Sequence, residues 1–365
     1  MQPTAAASPN VSVDCRGKES KMKRTFRYYV AALLGTLAGT AHGSGPDPDV
    51  FPVADLLHPV TVTREQCEQT RDAVWVETSW HERLEQTGSA ASKRHSAEGC
   101  IRYFPSPDAA QAQTALLFIH GDAMSPALSL EQNQRNYEKV GSYKAQVARA
   151  TRTSKDVGLA VIRIARPGVF GSTGLDHMHQ RRMSEEARLV DAAVTAIKNR
   201  YGYSRIQLAG LSGGGGLVGA LLTLGRTDID CAVVGSGVVS VKLRSQLLDS
   251  SAARRGFDQT GQKLSQVYDP IDHVRGIKAD WDRRIFIVGD PLDQAVAFES
   301  QAAFQQHLVE SGVPATLLQA KAVGPTHHDV ANDAQRVAGW CKAGVSNAEI
   351  QARLASVPAA VSAAE

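Results

Sequence analysis

The feature that most restricts how this chain can fold is a series of short apolar segments separated by helical or polar stretches. Six such segments follow residue 110, and each is rich in β-branched or aliphatic residues: "TALLFIHG", "VGLAVIRIARPG", "RIQLAGLS", "CAVVGSG", "RRIFIVGD" and "ATLLQA". Continuous apolar runs of this length are typical of strands that are covered on both faces. We therefore predict a doubly wound, mostly parallel α/β sheet.

The segment "SEEARLVDAAVTAIKNRYG" shows the expected helix between two of these strands. It has acidic residues in its first turn, basic residues in its last and Gly202 as its stop. One face is apolar, formed by Leu189, Val190, Ala193, Val194 and Ile197. Two earlier strands, "AVWVETSWHERL" and "CIRYFP", begin the sheet. We predict one domain over residues 71–365, a lead-in at 44–70 and a small cap at about 240–282.

The N-terminal region has the pattern of a secretory signal. A basic segment, "KMKRTFR", precedes the apolar stretch "YYVAALLGTLAGTA", which is short for a membrane span and ends in small residues. We expect residues 1–43 to comprise an upstream extension and a signal peptide, with Met22 as the natural start. The protein would then be exported to the periplasm or the medium. An uncleaved membrane anchor is the alternative.

The charge distribution argues against nucleic acid as a partner. The formal net charge is +3, but residues 1–43 hold six basic and two acidic side chains, so the remainder carries a net charge of −1. Binding to nucleic acid requires a basic face, which a nearly neutral chain does not predict. The sequence does not predict an oligomeric state.

The cysteines indicate an oxidising compartment. Without residues 1–43, four of the five remain: Cys67, Cys100, Cys231 and Cys341. An even number in an exported protein predicts two disulfides, although the spacing leaves three pairings open and four buried thiols are the alternative. Pairing Cys67 with Cys100 would fasten the N-terminal region. Pairing Cys231 with Cys341 suits a parallel sheet, because a strand start and a helix end meet at one edge.

A serine among glycines follows the strand "RIQLAGL". Gly210, Ser212 and Gly214 match the G-x-S-x-G pattern, and "GLVGALLTL" after them predicts a helix. Such a sharp turn holds a nucleophilic serine in strained backbone at a helix N-terminus, whose N–H groups can stabilise an oxyanion. A phosphate-binding loop would need Gly-Lys-Ser/Thr, which is missing, and a dinucleotide fingerprint would follow the first strand. Gly215 and Gly216 are not needed for the turn itself, and we expect them to let the helix pack close to its neighbours.

A nucleophilic serine needs a base, and the base needs an acid to orient it. The segment "GDPLDQAV" supplies Asp290 and Asp293, and "AVGPTHHDV" supplies His327 and His328. Both follow predicted strands at the carboxyl edge of the sheet. The chain order is therefore serine, acid, histidine.

In these segments and their order, the chain resembles the α/β-hydrolase superfamily over nearly everything after residue 100. "LLFIHGD" is similar to the loop that supplies half of the family's oxyanion hole, and "RIARPGVFGSTG" resembles a lengthened form of its Arg-x-Gly-x-Gly-Ser turn. The resemblance implies oxyanion donors at the N–H groups of Gly213 and Asp122, or of Ala123 in place of Asp122. It also implies a structural role for His120.

The same resemblance implies the catalytic triad. "IFIVGDPLDQAV" has the family's spacing at Asp293, with Asp290 at the strand end as the alternate, and "GPTH" has its spacing at His327, with His328 as the alternate. The expected triad is Ser212, Asp293 and His327.

A metal or cofactor is not predicted. His177 and His179 lie two residues apart in "DHMHQRR", but no third ligand stands at a recognisable spacing. The same loop lies on the side of the sheet where ligands enter such folds, so Arg181 or Arg182 would contact an anionic group of the substrate.

The sequence thus predicts an exported serine hydrolase that cleaves a small-molecule carboxylic ester through an acyl-enzyme. A serine peptidase or amidase of the same fold is the first alternative, since "YDPIDHV" and the compact cap resemble the peptidase and dienelactone-hydrolase branches. We expect no large N-terminal domain of the prolyl-oligopeptidase kind. A catalytically silent binding relative is the second alternative.

Overall fold

The computed structural model describes residues 61–83, 92–124, 128–174, 181–258 and 260–357. The predicted signal segment lies outside the described residues, as do most of the lead-in and the histidines His177 and His179. No helix in the described ranges is long and apolar enough to cross a membrane.

The described strands form one open sheet of eight. In chain order they are β1 (Ala73–Arg83), β2 (Ser92–Pro105), β3 (Ala115–Ile119), β4 (Ala160–Ile164), β5 (Ile206–Leu211), β6 (Ile229–Gly235), β7 (Arg284–Gly289) and β8 (Thr316–Gln319). Their order across the sheet is β1-β2-β4-β3-β5-β6-β7-β8. β2 pairs antiparallel with both β1 and β4, and every later pair is parallel. The predicted mostly parallel α/β sheet is confirmed.

The helices alternate with the strands. They are α1 (Arg64–Gln69), α2 (Leu130–Gly141), α3 (Tyr143–Val157), α4 (Ser184–Tyr201), α5 (Gly213–Thr223), α6 (Val241–Leu248), α7 (Ser250–Arg254), α8 (Phe298–Glu310), α9 (Ala331–Lys342) and α10 (Asn347–Ser356). Short 3₁₀ turns occur at Ala109–Gln111 and Pro270–Gly276. The predicted apolar face of α4 is buried, and Gly202 ends this helix with φ +72°. From the sequence we predicted α9 as the last helix, and we did not predict α10.

Two apolar layers cover the sheet. Residues of α4, α5 and α8 pack on one face, and residues of α3, α9 and α10 pack on the other. β3 shows the effect of this double covering, because Leu116 and Phe118 belong to one layer while Leu117 and Ile119 belong to the other. Burial of each such side chain contributes about 1.5–3 kcal/mol to the free energy of unfolding. Double covering is the reason that the central strands are continuous apolar runs.

The segment predicted as a cap contains α6, α7 and the second 3₁₀ turn. It packs on the residues that precede α4: the Tyr268 N–H donates to the Arg182 carbonyl at 2.7 Å, and the Gln262 amide donates to the Arg181 carbonyl at 2.7 Å. The cap segment thereby fixes the position of the two arginines.

Two disulfides join distant parts of the chain. Cys67 of α1 pairs with Cys100 of β2, and Cys231 of β6 pairs with Cys341 of α9. This is one of the three pairings that the spacing allowed.

Candidate active site

Ser212 lies in the sharp turn between β5 and α5. Its φ of +54° and ψ of −118° are rare for a residue other than glycine, and such a conformation costs about 1–3 kcal/mol. The turn is held from β6 and the loop after it. The Ser212 N–H donates to the Gly235 carbonyl at 2.8 Å, and the Ser212 carbonyl accepts from the N–H of Val238 at 3.1 Å. The strained turn is therefore locked by tertiary contacts.

The glycines after Ser212 allow close approach of this helix to the neighbouring loop. A Cβ on Gly215 would lie 2.8 Å from the α carbon of Gly237, and one on Gly216 would lie 2.6 Å from the Val238 carbonyl oxygen. Real Cβ atoms do not approach other atoms so closely. Gly215 and Gly216 are thus required for the close packing of this helix against the loop after β6, in agreement with the expectation from the sequence.

The loop after β3 lies against the serine. A Cβ on Gly121 would meet the Ser212 Cβ at 3.3 Å, and one on Gly213 would lie 2.2 Å from Oδ1 of Asp122. The two residues expected to supply oxyanion donors, Asp122 and Gly213, are therefore neighbours. Gly213 is the first residue of α5, and the N–H of a first helical residue has no partner within its helix.

A buried ion-pair network holds the side chain of Asp122. Its carboxylate accepts hydrogen bonds from Arg166 at 2.8 Å, Arg182 at 3.0 Å and Arg181 at 3.2 Å. Arg166 is fully buried and also pairs with Glu186 at 2.7 Å. Burial opposes the charge of Arg166, but the carboxylates of Glu186 and Asp122 outweigh it and raise its pKa above the ordinary value. The network anchors the loop that carries Asp122.

Arg181 and Arg182 are engaged in this network. Arg182 also pairs with Asp258 at 2.7 Å, so two carboxylates contact its guanidinium. Both arginines are buried. Their observed partners are protein carboxylates, whereas the sequence led us to expect an anionic substrate group.

The acid loop and the histidine loop meet in two parallel pairs. Nδ1 of His328 lies 2.9 Å from Oδ2 and 3.1 Å from Oδ1 of Asp293. Nδ1 of His327 lies 3.2 Å from Oδ2 of Asp290. The favoured acid, Asp293, is thus brought together with the alternate histidine, and the favoured histidine, His327, with the alternate acid.

The Asp293 pair is the more buried of the two. The carboxylate of Asp293 is fully buried, and its Oδ1 accepts from the N–H groups of Ala295 at 2.8 Å and Val296 at 2.9 Å. The side chain of His328 is 20% exposed, whereas that of His327 is 39% exposed.

In the other pair, the carboxylate of Asp290 also joins two loops. The carboxylate of Asp290 accepts from the N–H groups of Leu292 and Ala322, both at 2.9 Å, and so joins two loops. His327 itself has a φ of +52°, which is uncommon for a residue other than glycine.

His120 occupies both of its ring nitrogens in the loop after β3. Nδ1 lies 2.6 Å from the Gly121 carbonyl oxygen, and Nε2 accepts from the Arg166 N–H at 3.3 Å. These contacts agree with the structural role expected for it. Among the described residues, no three histidine, cysteine, aspartate or glutamate side chains group as a metal site requires.

Sequence reasoning missed Glu186 and Asp258, which complete the network around Asp122. A signal for Glu186 was present, because it lies on the apolar face of α4, three residues before Leu189. A carboxylate on a buried face requires a cationic partner. Asp258 lies in the polar cap segment, where no periodicity marks it.

Comparison with known proteins agrees with this architecture. Residues 170–342, slightly less than half of the chain, match the prolyl oligopeptidase family. No curated protein matches the chain.

Several solved structures are similar to the chain at low identity. A puromycin-hydrolysing peptidase from Mycobacterium tuberculosis is 16% identical, with a TM-score of 0.44 over 72% of this chain and 38% of that one. An acylaminoacyl peptidase from Pyrococcus horikoshii is 11% identical, with a TM-score of 0.45 over 78% and 42%. An esterase from Pyrococcus furiosus is 12% identical, with a TM-score of 0.43 over 82% and 98%. This chain therefore spans about two fifths of the length of the two peptidases.

The sheet order and the sharp turn at Ser212 are those of the α/β-hydrolase fold, and residues 170–342 are similar to the prolyl oligopeptidase family of serine hydrolases.

Proposed function

We propose that the chain hydrolyses a carboxylic ester with Ser212 as nucleophile, His328 as base and Asp293 as the acid that orients it. The observation that carries this assignment is the contact of His328 with both oxygens of the buried Asp293 carboxylate. A proton held on Nδ1 leaves Nε2 free to act on the serine. The sequence favoured His327 for this role, and the geometry supports His328.

The reaction proceeds through an acyl-enzyme. Nε2 of His328 takes the proton of the Ser212 hydroxyl as Oγ attacks the substrate carbonyl carbon, and the charged imidazolium is stabilised by Asp293. The N–H groups of Asp122 and Gly213 bind the oxyanion. The imidazolium then protonates the departing alcohol. In the second half, His328 takes a proton from water as the hydroxide attacks the acyl carbon, and it returns that proton to Oγ of Ser212 as the ester bond to the serine breaks and the acid product leaves.

The turn at Ser212 serves this chemistry because it is rigid before substrate arrives. A network of three arginines holds Asp122, so the loop that carries its N–H does not reorganise when the oxyanion forms. Electrostatic stabilisation by fixed donors is commonly the largest single contribution to such catalysis.

An ester is proposed rather than an amide because an alcohol leaves with less help from a proton donor than an amine does. The match to the prolyl oligopeptidase family keeps a peptide bond as the second candidate. We expect the p-nitrophenyl ester of a short acyl group to react at least about 100-fold faster, in kcat/KM, than the p-nitroanilide of the same group, a difference of about 2.7 kcal/mol in barrier. The absorbance of released p-nitrophenol or p-nitroaniline, followed in the steady state, gives kcat/KM for each substrate. Faster cleavage of the anilide, or of a capped dipeptide anilide, would instead favour the peptidase.

We also propose that the chain is exported and loses its first 43 residues or so. Two disulfides support an oxidising compartment. Protein recovered from the periplasm or medium is expected to have the mass of the shortened chain and to release no free thiol in denaturant. Four reactive thiols per chain, or an intact N-terminus, would contradict the proposal.

A further inference from the structure

Arg163 is a charged residue within the buried strand β4, whose sequence is "AVIRI". Its Nε donates to Oε1 of Gln146 at 3.0 Å, and its guanidinium carbon lies 5.0 Å from the ring centre of Phe118. None of the ion pairs among the described residues includes Arg163. A neutral amide and an aromatic face are therefore its observed partners.

The charges around Arg163 increase the cost of placing it there. Burial, and then the positive charges of Arg149 and Arg152, lower its pKa to about 10. Its guanidinium is still cationic at neutral pH. Partial withdrawal of this cation from water carries a cost that a neutral amide and an aromatic face offset less well than a carboxylate would. Arg166, three residues on, shows the contrast, because it has two carboxylate partners.

A cavity of about 800 Å³ is lined by Arg163 and by residues close to Ser212. Its lining includes Phe118, Arg163, the α3 arginines Arg149 and Arg152, and Gly121 and Leu211, the residue before Ser212. Its size is that of a site for a small organic ligand.

The acidic residues along this cavity have other partners. Asp156 pairs with Arg336 at 3.0 Å, and Oδ1 of Asp329 accepts from the N–H of Ala331 at 2.9 Å. Asp122 belongs to the arginine network already described. The charges that act on Arg163 are those of Arg149 and Arg152, and both are positive.

We propose that this cavity binds the part of the substrate remote from the scissile ester, and that Arg163, with Arg149 and Arg152, recognises a carboxylate on it. The proposal rests on the hydrolytic function proposed for Ser212. A guanidinium group binds a carboxylate through two parallel hydrogen bonds, and this pairing would supply the missing counter-charge. The substrate class is then an ester whose acyl group ends in a carboxylate.

The strand register indicates how long that acyl group is. Arg163 is level with Phe118, and Phe118 is level with Ala209, three residues before Ser212. Two strand spacings of about 4.8 Å and three residues of about 3.3 Å place the α carbons of Arg163 and Ser212 about 14 Å apart. An acyl chain of about eight carbons covers the part of this distance that the arginine side chain does not reach.

The test compares two p-nitrophenyl esters of equal length: the half ester of the eight-carbon dicarboxylic acid, and the neutral octanoate. The wild type is expected to prefer the half ester. Arg163→Met is expected to lower kcat/KM for the half ester at least about 30-fold, with the octanoate changed less than about threefold. The half ester of the four-carbon dicarboxylic acid is too short to reach Arg163, so it should show no such dependence.

Arg283→Met is the matched control. Arg283 is also buried, but it precedes β7 at the opposite edge of the sheet and donates to the carbonyls of Arg226 and Lys278. It should leave the ratio of the two rates unchanged. Thermal unfolding of each variant establishes that it is folded, and Arg163→Lys is expected to restore part of the preference.

Binding separates failure of this proposal from failure of the proposed function. Calorimetry with the Ser212→Ala variant should detect the eight-carbon dicarboxylate, with binding lost in Ser212→Ala/Arg163→Met. If neither ester is hydrolysed but this binding is found, the hydrolytic function fails and the carboxylate site stands. Equal rates for the two wild-type esters, or equal effects of Arg163→Met on both, would overturn the carboxylate site.

Discussion

Ser212→Ala is expected to abolish covalent labelling by a fluorophosphonate probe and to lower kcat for a short p-nitrophenyl ester by roughly 10⁴- to 10⁶-fold. The hydroxyl is the group that forms the acyl-enzyme, and alanine leaves His328 nothing to deprotonate except water. The residual rate would come from binding and from the oxyanion donors. Intact-protein mass after labelling and the initial rate of p-nitrophenol release measure the two effects.

Ser236→Ala is the matched control for this variant. Ser236 follows β6 as Ser212 follows β5, it is fully buried, and it also has a positive φ, of +40°. Its hydroxyl has no hydrogen-bond partner among the described residues. Its removal should leave labelling and rate within about twofold. A Ser212→Ala protein that still takes up the probe would show that another residue is the nucleophile, and a wild type that takes up no label would favour the silent binding relative.

The second large effect distinguishes the adjacent histidines. His328→Ala is expected to lower kcat/KM roughly 10⁴-fold, whereas His327→Ala is expected to lower it less than about tenfold. The reason is that the buried carboxylate of Asp293, fixed by two backbone N–H groups, contacts His328. The more exposed His327 faces a carboxylate that already joins two loops.

The two acids provide an independent check on the same assignment. Asp293→Asn should cost a similar factor to His328→Ala, because the amide no longer holds the required proton on Nδ1. Asp290→Asn should act chiefly on stability, which thermal unfolding records, since its carboxylate joins the loop of Leu292 to the loop of Ala322. If the larger loss of rate belongs to His327 and Asp290, the triad assignment is wrong.

The fold was predictable because its signals are local. The strand segments are apolar over their whole length, since both faces of the sheet are covered, and α4 has the 3.6-residue pattern of a helix with one buried face. Helix α10 was missed because only two of its residues, Ile350 and Leu354, are buried. A helix that contributes so little apolar surface has a weak periodic signal.

The candidate site was predictable to the level of segments. Ser212 was found because a G-x-S-x-G pattern between a strand and a helix has few structural alternatives. The pairing of Asp293 with His328 was not found, because adjacent residues point in directions that depend on backbone torsions. The φ of +52° at His327 is a property of the folded loop and not of the residue type.

The sequence by itself determined the α/β sheet, the position of the serine turn and the two segments that carry the candidate acids and bases, since each depends on residues close together in the chain. The tertiary structure decided which cysteines pair, which histidine contacts Asp293, and that within the described ranges Arg163 has no carboxylate partner while Arg166 has two. His328 and Asp293 are 35 residues apart, and Arg166 and Asp122 are 44 apart. The directions in which such distant side chains meet are fixed by the packing of the loops on the sheet, which no local pattern records.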